Sequence, residues 1–495
     1  MEHSAGVEEG GEQRYRVEKG DSATVVEVHE VKASDTRIFL IVAIVTLSYV
    51  IVNLDGSSAA LSTIGKALNA SALQLAWVYN AFTLLSTPLI PLWSKLADAF
   101  GQRNIVLFGL ITFLAGSAGA GAASSMAVLG IFRGVQGLGN SAIVAMSLVI
   151  FTEYYPIHKR GFAFNIIGAA MGFTMILGPI VGGSITDNAS MGWRWSYWIL
   201  LPLTGLLFPL PAIVSGKADG ANYKPLKNMD YLGFITLVGT TACILLALAW
   251  GGKQYNWASG QIIGLFVAGG VFAALFILVE IFVAKEPVFP PYMFRSLNNN
   301  AVFVMNFFQG GAAMAFMMFG PMYYKGDLKD TALQSAVDVT LAINLAWMVF
   351  GIISSQLLRY VPANILVIIG TGLTTIGTGL FSLAISQGVP SKGVAAIYLI
   401  IFGAGQGLST QNSFLIAQAH LEKKQDSKLM SNIPVYFHRV GGSILVAILS
   451  AIYSHENSAA AAAAMPSGSG NMVSPRCISY FPSSHCKPLT VFPTL

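Results

Sequence analysis

Charge is what this chain has least of: Asp, Glu, Lys and Arg make up 10% of its 495 residues, against roughly 25% in an ordinary soluble domain. With 54% hydrophobic residues beside so little charge, a water-coated surface of the necessary size is excluded, and most of the surface must face lipid. Cysteine is also scarce, with three in total, so no disulfide framework organises the fold. Cys243 sits in an apolar stretch as a small hydrophobe, while Cys477 and Cys486 fall near the C-terminus. Residues 1 to 36 are polar and carry both signs of charge, so no cleavable signal peptide is expected. No glycine loop of P-loop spacing occurs in a polar segment, which argues against ATP-driven pumping. No metal, cofactor or nucleic-acid partner is expected, and the chain is not expected to be an enzyme.

Long apolar runs are what the chain has in abundance. From residue 38 onward, stretches of about 20 residues recur between short polar turns, each long enough to cross about 30 Å of hydrocarbon as a helix. Thirteen are expected: 38 to 60, 74 to 94, 104 to 123, 126 to 150, 163 to 186, 195 to 214, 231 to 250, 260 to 283, 301 to 323, 333 to 357, 363 to 385, 395 to 417 and 432 to 453. The expected fold is an all-α integral membrane protein. Residues 1 to 37 and 456 to 495 are expected to be disordered tails, the latter for its Pro, Ser and Gly content.

Basic residues resist translocation, so their placement sets orientation. With the N-terminus in the cytoplasm, the inner loops and the N-terminal tail hold eighteen Lys and Arg residues, among them Lys95, Arg103, Arg359 and Lys428, and the outer loops hold six. Two glycosylation triplets, beginning at Asn69 and Asn188, then lie outside. Each is a candidate modification site or a chance match.

An ionisable group inside a membrane span is costly unless it faces the protein interior. Asp55, Arg133, Glu280, Asp338 and Arg439 are the candidates. A carrier that alternates its access needs a carboxylate whose protonation changes with exposure. Asp55 is the first choice for that switch, the alternative being a carboxylate that fastens span 1 to a neighbour. Arg133 keeps its proton throughout, so it biases proton release, orients a buried network or serves architecture alone. Gln136, three residues on, shares its face. Glu280 and Asp338 fall near span ends. Arg439 and His438 read as interfacial anchors at the cytoplasmic end of span 13.

Between spans 2 and 3 the sequence reads SKLADAFGQRN. Asp98 can cap a helix or meet a cation on a neighbour, Gly101 permits a tight reversal, and Arg103 stays at the inner surface. Such a tie would hold a cytoplasmic gate shut. Trp77, Tyr79, Asn80, Gln136, Asn306, Gln309, Asn344, Gln406, Gln411 and Asn412 offer an aromatic and amide cavity lining suited to amphipathic organic molecules.

Taken together, these stretches resemble the major facilitator superfamily, and within it the proton-coupled drug and toxin exporters with fourteen spans. SKLADAFGQRN is similar to that family's signature between spans 2 and 3, with Ser94 at a usual glycine and Ala99 at a usual arginine. RGVQGLGNS at 133 to 141 resembles the span 4 signature, which implies a proton-coupling role for Arg133. NLDGSSAAL at 53 to 61 resembles the span 1 signature, with Asp55 as its acidic member. WRWSYWILLP at 193 to 202 and YFHRVGGSILVAI at 436 to 448 also resemble that branch.

GFTMILGPIVGG at 172 to 183 resembles the span 5 signature of antiporters. By that likeness Gly172, Gly178, Pro179, Gly182 and Gly183 form a packed hinge, with small residues for close approach and a proline for a bend. The resemblance implies two inverted-repeat six-helix halves with two inserted helices within 215–300; here the N-terminal half is expected over 38–214, and the C-terminal half over 301–455 is expected to hold five helices and to lack the last one of the plan. It also implies a monomer in the plasma membrane, or alternatively the vacuolar membrane, exchanging protons for toxins, secondary metabolites or antifungal drugs. A fungal origin fits that cargo. Alternatives are a carrier for a defined solute such as a siderophore or amino acid, and a transport-inactive membrane protein.

Overall fold

The computed structural model describes residues 13–19, 22–28, 35–54, 57–70, 72–154, 160–187, 192–209, 229–252, 254–326, 332–387, 391–419 and 427–463. Ten helices among them are long and apolar enough to cross a membrane. Spans 3, 4 and 5 form α5 (Gln102–Gly121), α6 (Met126–Tyr154) and α7 (Arg160–Asp187). Spans 7 and 8 form α10 (Tyr231–Trp250) and α11 (Gly260–Leu278). Spans 9 to 13 form α12 (Leu297–Gly326), α13 (Ala332–Leu357), α14 (Ala363–Gln387), α15 (Lys392–Ala419) and α16 (Ser427–Ala463).

The other three expected spans are interrupted. Span 1 divides into α1 (Asp35–Asn53) and α2 (Ser57–Ala67). Span 2 divides into α3 (Ala72–Ser86) and α4 (Ile90–Phe100). Pro88 lies between those two, and its ring denies a helical conformation to Thr87 and a hydrogen bond to its own position. Within span 6 only two short pieces are described, α8 (Trp195–Trp198) and α9 (Leu200–Gly205).

Within the described residues, parts of both expected tails are structured, and the rest of each tail lies outside those residues. The N-terminal segment contains an antiparallel hairpin of β1 (Gln13–Lys19) and β2 (Ser22–Val28), with Tyr15 opposite Val26 and Val17 opposite Thr24. β-branched and aromatic residues of that kind favour strands, a preference outweighed in the sequence reading by the surrounding polar composition. At the other end α16 continues to Ala463 through an alanine run, and alanine has the highest helix propensity of all residues.

Helices pack in two groups. In the first, α6 is the hub, meeting α1, α3, α4 and α5, while α1 also meets α7. The α6 span is 89% buried, whereas the span through α11 is 17% buried and faces outward. In the second, α12 packs on α16, α13 on α15, and α14 on α15. The groups meet where α7 touches α13 and α15, and where α4 and α6 touch α16. The pair α10 and α11 joins the second group through Phe234, Phe289, Phe303 and Tyr436 in one apolar cluster.

The tightest crossing is between α12 and α16. A Cβ added at Gly441 would lie 1.9 Å from the Phe307 carbonyl oxygen, and one at Gly310 would lie 1.9 Å from that of His438. Only hydrogen fits there, so glycine sets the separation of these helices.

Candidate functional site

Arg133 is among the largest fully buried side chains, 1% exposed. Its Nε donates to the Val78 carbonyl at 3.0 Å, and its Nη1 donates to Gln136 Oε1 at 2.7 Å. Gln136 passes the chain on, Nε2 donating to Ser117 Oγ at 2.9 Å, and Ser117 donates to the Phe113 carbonyl at 2.8 Å. The guanidinium carbon also sits 4.5 Å from the centre of the Phe82 ring, a favourable place for a cation. Arg133 and Gln136 therefore tie α3, α5 and α6 together. Gln136 belongs to this network and does not line an open cavity.

Two turns farther along α6, Asn140 Nδ2 donates to the Val52 carbonyl of α1 at 2.8 Å. Arg439 of α16 reaches this point from the other helix group. Its Nη1 donates to Asn140 Oδ1 at 3.3 Å and its Nη2 to Asn53 Oδ1 at 3.5 Å. This corrects the reading of Arg439 as a cytoplasmic anchor: it spans the contact between the two groups. His438 is buried beside it, with Nδ1 lacking a hydrogen-bond partner. Asn53 and Asn140 escaped the sequence reading because neither is charged, although Asn140 lies seven residues from Arg133 and so recurs on nearly the same helix face.

Asp98 finds its cation on the opposite group. Lys428 Nζ of α16 lies 3.2 Å from Asp98 Oδ1 and 3.6 Å from Glu153 Oε2. Gln102 also donates to Glu153. One layer deeper, Asn432 Nδ2 donates to Ser94 Oγ at 2.6 Å, and Trp93 Nε1 donates to Ser141 Oγ at 2.8 Å. These contacts join α4 and α6 to α16. Gly101 takes φ +80 at the junction of α4 and α5, a conformation that glycine adopts without strain. Arg103 is exposed. Lys428 had been counted only as an inner-loop charge, since nothing in the sequence links residues 330 positions apart.

The glycine-rich stretch of α7 lies against the second group. A Cβ at Gly168 would lie 2.7 Å from the Gln411 side chain, and one at Gly172 would lie 3.0 Å from the Asn344 carbonyl. Gly172, Gly178 and Gly182 are buried. The amides expected to line a cavity are buried in helix contacts instead. Asn306 Nδ2 donates to Ser413 Oγ at 3.0 Å, Gln309 Nε2 to Ser409 Oγ at 2.7 Å, and Gln406 Nε2 to the Gln309 carbonyl at 3.2 Å. Asn412 Nδ2 donates to Ser354 Oγ at 2.5 Å. Asn344 is buried, donating to the Thr340 carbonyl at 2.9 Å. The Asn344 bond stays within α13, whereas in lipid the pairs between helices join them because the alternative is an unpaired polar group in hydrocarbon.

Trp77 packs against Trp250 of α10, ring centres 5.9 Å apart. Tyr79 is 49% exposed, its hydroxyl 3.9 Å from the Met314 sulfur of α12, and Asn80 is half-buried beside it. Glu280 is buried, its two oxygens accepting from the Val288 and Phe289 amides at 3.0 and 3.1 Å. That carboxylate fastens the end of the α11 span to the following segment. Asp338 lines a groove of 580 Å³ between α13 and α15 with Lys392. Asn69 is exposed with φ 48 after α2, a backbone state that asparagine tolerates. Asp55 and Asn188 lie outside the described residues, as do the side chains of Pro179 and Gly183.

A model of the Major Facilitator Superfamily matches residues 38 to 446. The chain is 30% identical over 409 residues to the multidrug transporter protein MdtP of Bacillus subtilis (strain 168), covering 83% of this chain and 72% of that protein. It is 28% identical to the efflux pump aflT of Aspergillus parasiticus, covering 77% and 74%. The fold is similar to that of the proton:xylose symporter XylE, with TM-score 0.59 at 14% identity, covering 86% of this chain and 90% of that one. It is also similar to that of the human organic anion transporter MFSD10, with TM-score 0.56 at 14% identity, covering 86% and 95%. The chain belongs to the Major Facilitator Superfamily, a multi-pass integral membrane protein built for transport and not for enzymatic turnover.

Proposed function

We propose that this chain exports small amphipathic organic molecules across the plasma membrane in exchange for protons, with its N-terminus in the cytoplasm. The observation that carries this reading is the glycine face of α7 seated directly on α13 and α15 of the other helix group. Gly172, the first residue of the antiporter-like stretch, comes close enough to α13 to support a hinge at which the halves 38–214 and 301–455 can rock. The Asp98–Lys428 and Ser94–Asn432 contacts then act as the inner gate, and Arg133 with Asp55 as the proton-coupling pair. The names of MdtP and aflT, a multidrug transporter and an efflux pump, favour export of organic compounds.

The test is uptake of a panel of amphipathic drugs into inside-out vesicles under an imposed proton gradient, with an ionophore control. Gradient-dependent accumulation is expected, and Asp55→Asn is expected to abolish it while leaving the protein folded. Accumulation driven by an acidic outside medium and not by an acidic vesicle lumen would mean symport of a defined solute, and normal transport by Asp55→Asn would remove Asp55 from the coupling role.

A further inference from the structure

Other charges here have evident work: within the spans Arg133 is enclosed by its acceptors and Glu280 is held by two amides, and at the inner face Lys428 meets two carboxylates. Arg439 differs. Its guanidinium donates to the side-chain oxygens of Asn140 and Asn53, at 3.3 and 3.5 Å, and the Tyr49 hydroxyl also faces it. All three are neutral groups. The two contacts are longer than the roughly 2.7–2.9 Å of a charge-assisted hydrogen bond. Among the described residues no carboxylate pairs with it. The residue is only half-buried, and its guanidinium carries five donors against these three neutral partners.

A charge placed at the middle of a membrane protein, loosely held by amide oxygens, is suited to accept an anion in their place. We infer that Arg439 is the recognition point for the acidic group of an anionic amphiphile, such as an aromatic carboxylate or phenolate, carried by this transporter. Asn53 and Asn140 hold the guanidinium when no cargo is present, and they come from α1 and α6 while Arg439 comes from α16. The cargo's anionic group therefore binds where the two groups meet and exchanges one set of inter-group contacts for another. The inference rests on the export reading and narrows it from amphipathic compounds in general to acids.

The test uses the full chain in lipid nanodiscs and two dyes on the same xanthene ring system, anionic fluorescein and cationic rhodamine 6G, with binding followed by fluorescence anisotropy. Arg439→Gln is expected to raise the Kd for fluorescein by about tenfold or more, the worth of one hydrogen bond to a charged group, and to leave rhodamine 6G unchanged or tighter. Arg439→Lys, which keeps the charge, is expected to recover much of the fluorescein binding. A structural role would weaken both dyes alike, and that result would overturn the inference. So would fluorescein left unbound by the wild type, or bound equally by wild type and Arg439→Gln. Vesicle uptake of the same dyes separates the two readings: transport of rhodamine 6G alone refutes acid recognition and leaves export standing, whereas Arg439-dependent fluorescein binding without any flux refutes export alone.

Discussion

Replacing Gly441 with alanine adds one carbon where the structure has no room. That carbon would sit 1.9 Å from the Phe307 carbonyl oxygen. A carbon and a carbonyl oxygen rest no closer than about 3.3 Å, so α12 and α16 must part locally by roughly 1.4 Å. Helix backbones cannot yield as a flexible side chain does, and the loss extends to the stacked rings of Phe303 and Phe437, 5.1 Å apart on the same crossing. Overpacking of this kind costs about 1–3 kcal/mol, and a backbone clash belongs at the upper end. The control is Gly379→Ala on α14, where an added Cβ meets nothing within 4 Å. There alanine is expected to be neutral or to stabilise by about 0.4–1 kcal/mol, through its smaller entropy in the unfolded chain. The assay is thermal unfolding in detergent followed by size-exclusion chromatography, with Gly441→Ala melting several degrees below wild type. If Gly441→Ala and Gly379→Ala melt together at the wild-type temperature, the close crossing is not what holds these helices.

Arg133→Met removes the donor to the Val78 carbonyl and to Gln136; leaving those buried acceptors unpaired costs about 1–3 kcal/mol, so a lowered melting temperature is expected together with lost gradient-driven transport. Cysteines at Ser94 and Asn432, introduced in a background lacking the native cysteines, are expected to be bridged by a short bifunctional methanethiosulfonate, since the native side chains meet at 2.6 Å. Transport should stop until reductant is added, and undiminished flux in the cross-linked protein would show that this contact does not open. Asp98→Asn should move the melting temperature little, because an exposed pair with Lys428 contributes about 0–1 kcal/mol; a large loss of stability would mean that the pair is more than a gate. Glu280→Ala frees two buried amides and is expected to destabilise the α11 end without altering cargo preference, as read from a melting curve and a drug panel.

Hydropathy located the elements well where a run was apolar throughout, as in α5, α6 and α10 to α16, even with Pro321 inside α12 and Pro434 inside α16. It missed the interruptions at Leu54 and at Pro88, because a window averaged over 20 residues does not register a break of a few residues. The polar composition of the first 36 residues hid the alternation in RYRVEK and ATVVEV. Arg133 was legible because a charge in an apolar run is conspicuous at any position. Gln136 was legible as its neighbour by helical spacing, but whether an amide such as Gln309 faces a cavity or another helix depends on the rotation of both helices, which no local pattern fixes.

By itself the sequence determined that the chain lives in a membrane, which stretches are helical, and which rare charges need an explanation. Those follow from properties each segment carries alone, namely length, hydropathy and the cost of an ion in lipid. Only the tertiary structure decided partners: Asp98 with Lys428, Ser94 with Asn432, Arg439 with Asn53 and Asn140. These contacts join helices hundreds of residues apart, and the same residue types would be equally satisfied, locally, by many other arrangements. Packing selects among them, because glycine faces at Gly172, Gly310 and Gly441 permit only certain helices to come close enough for their polar groups to meet.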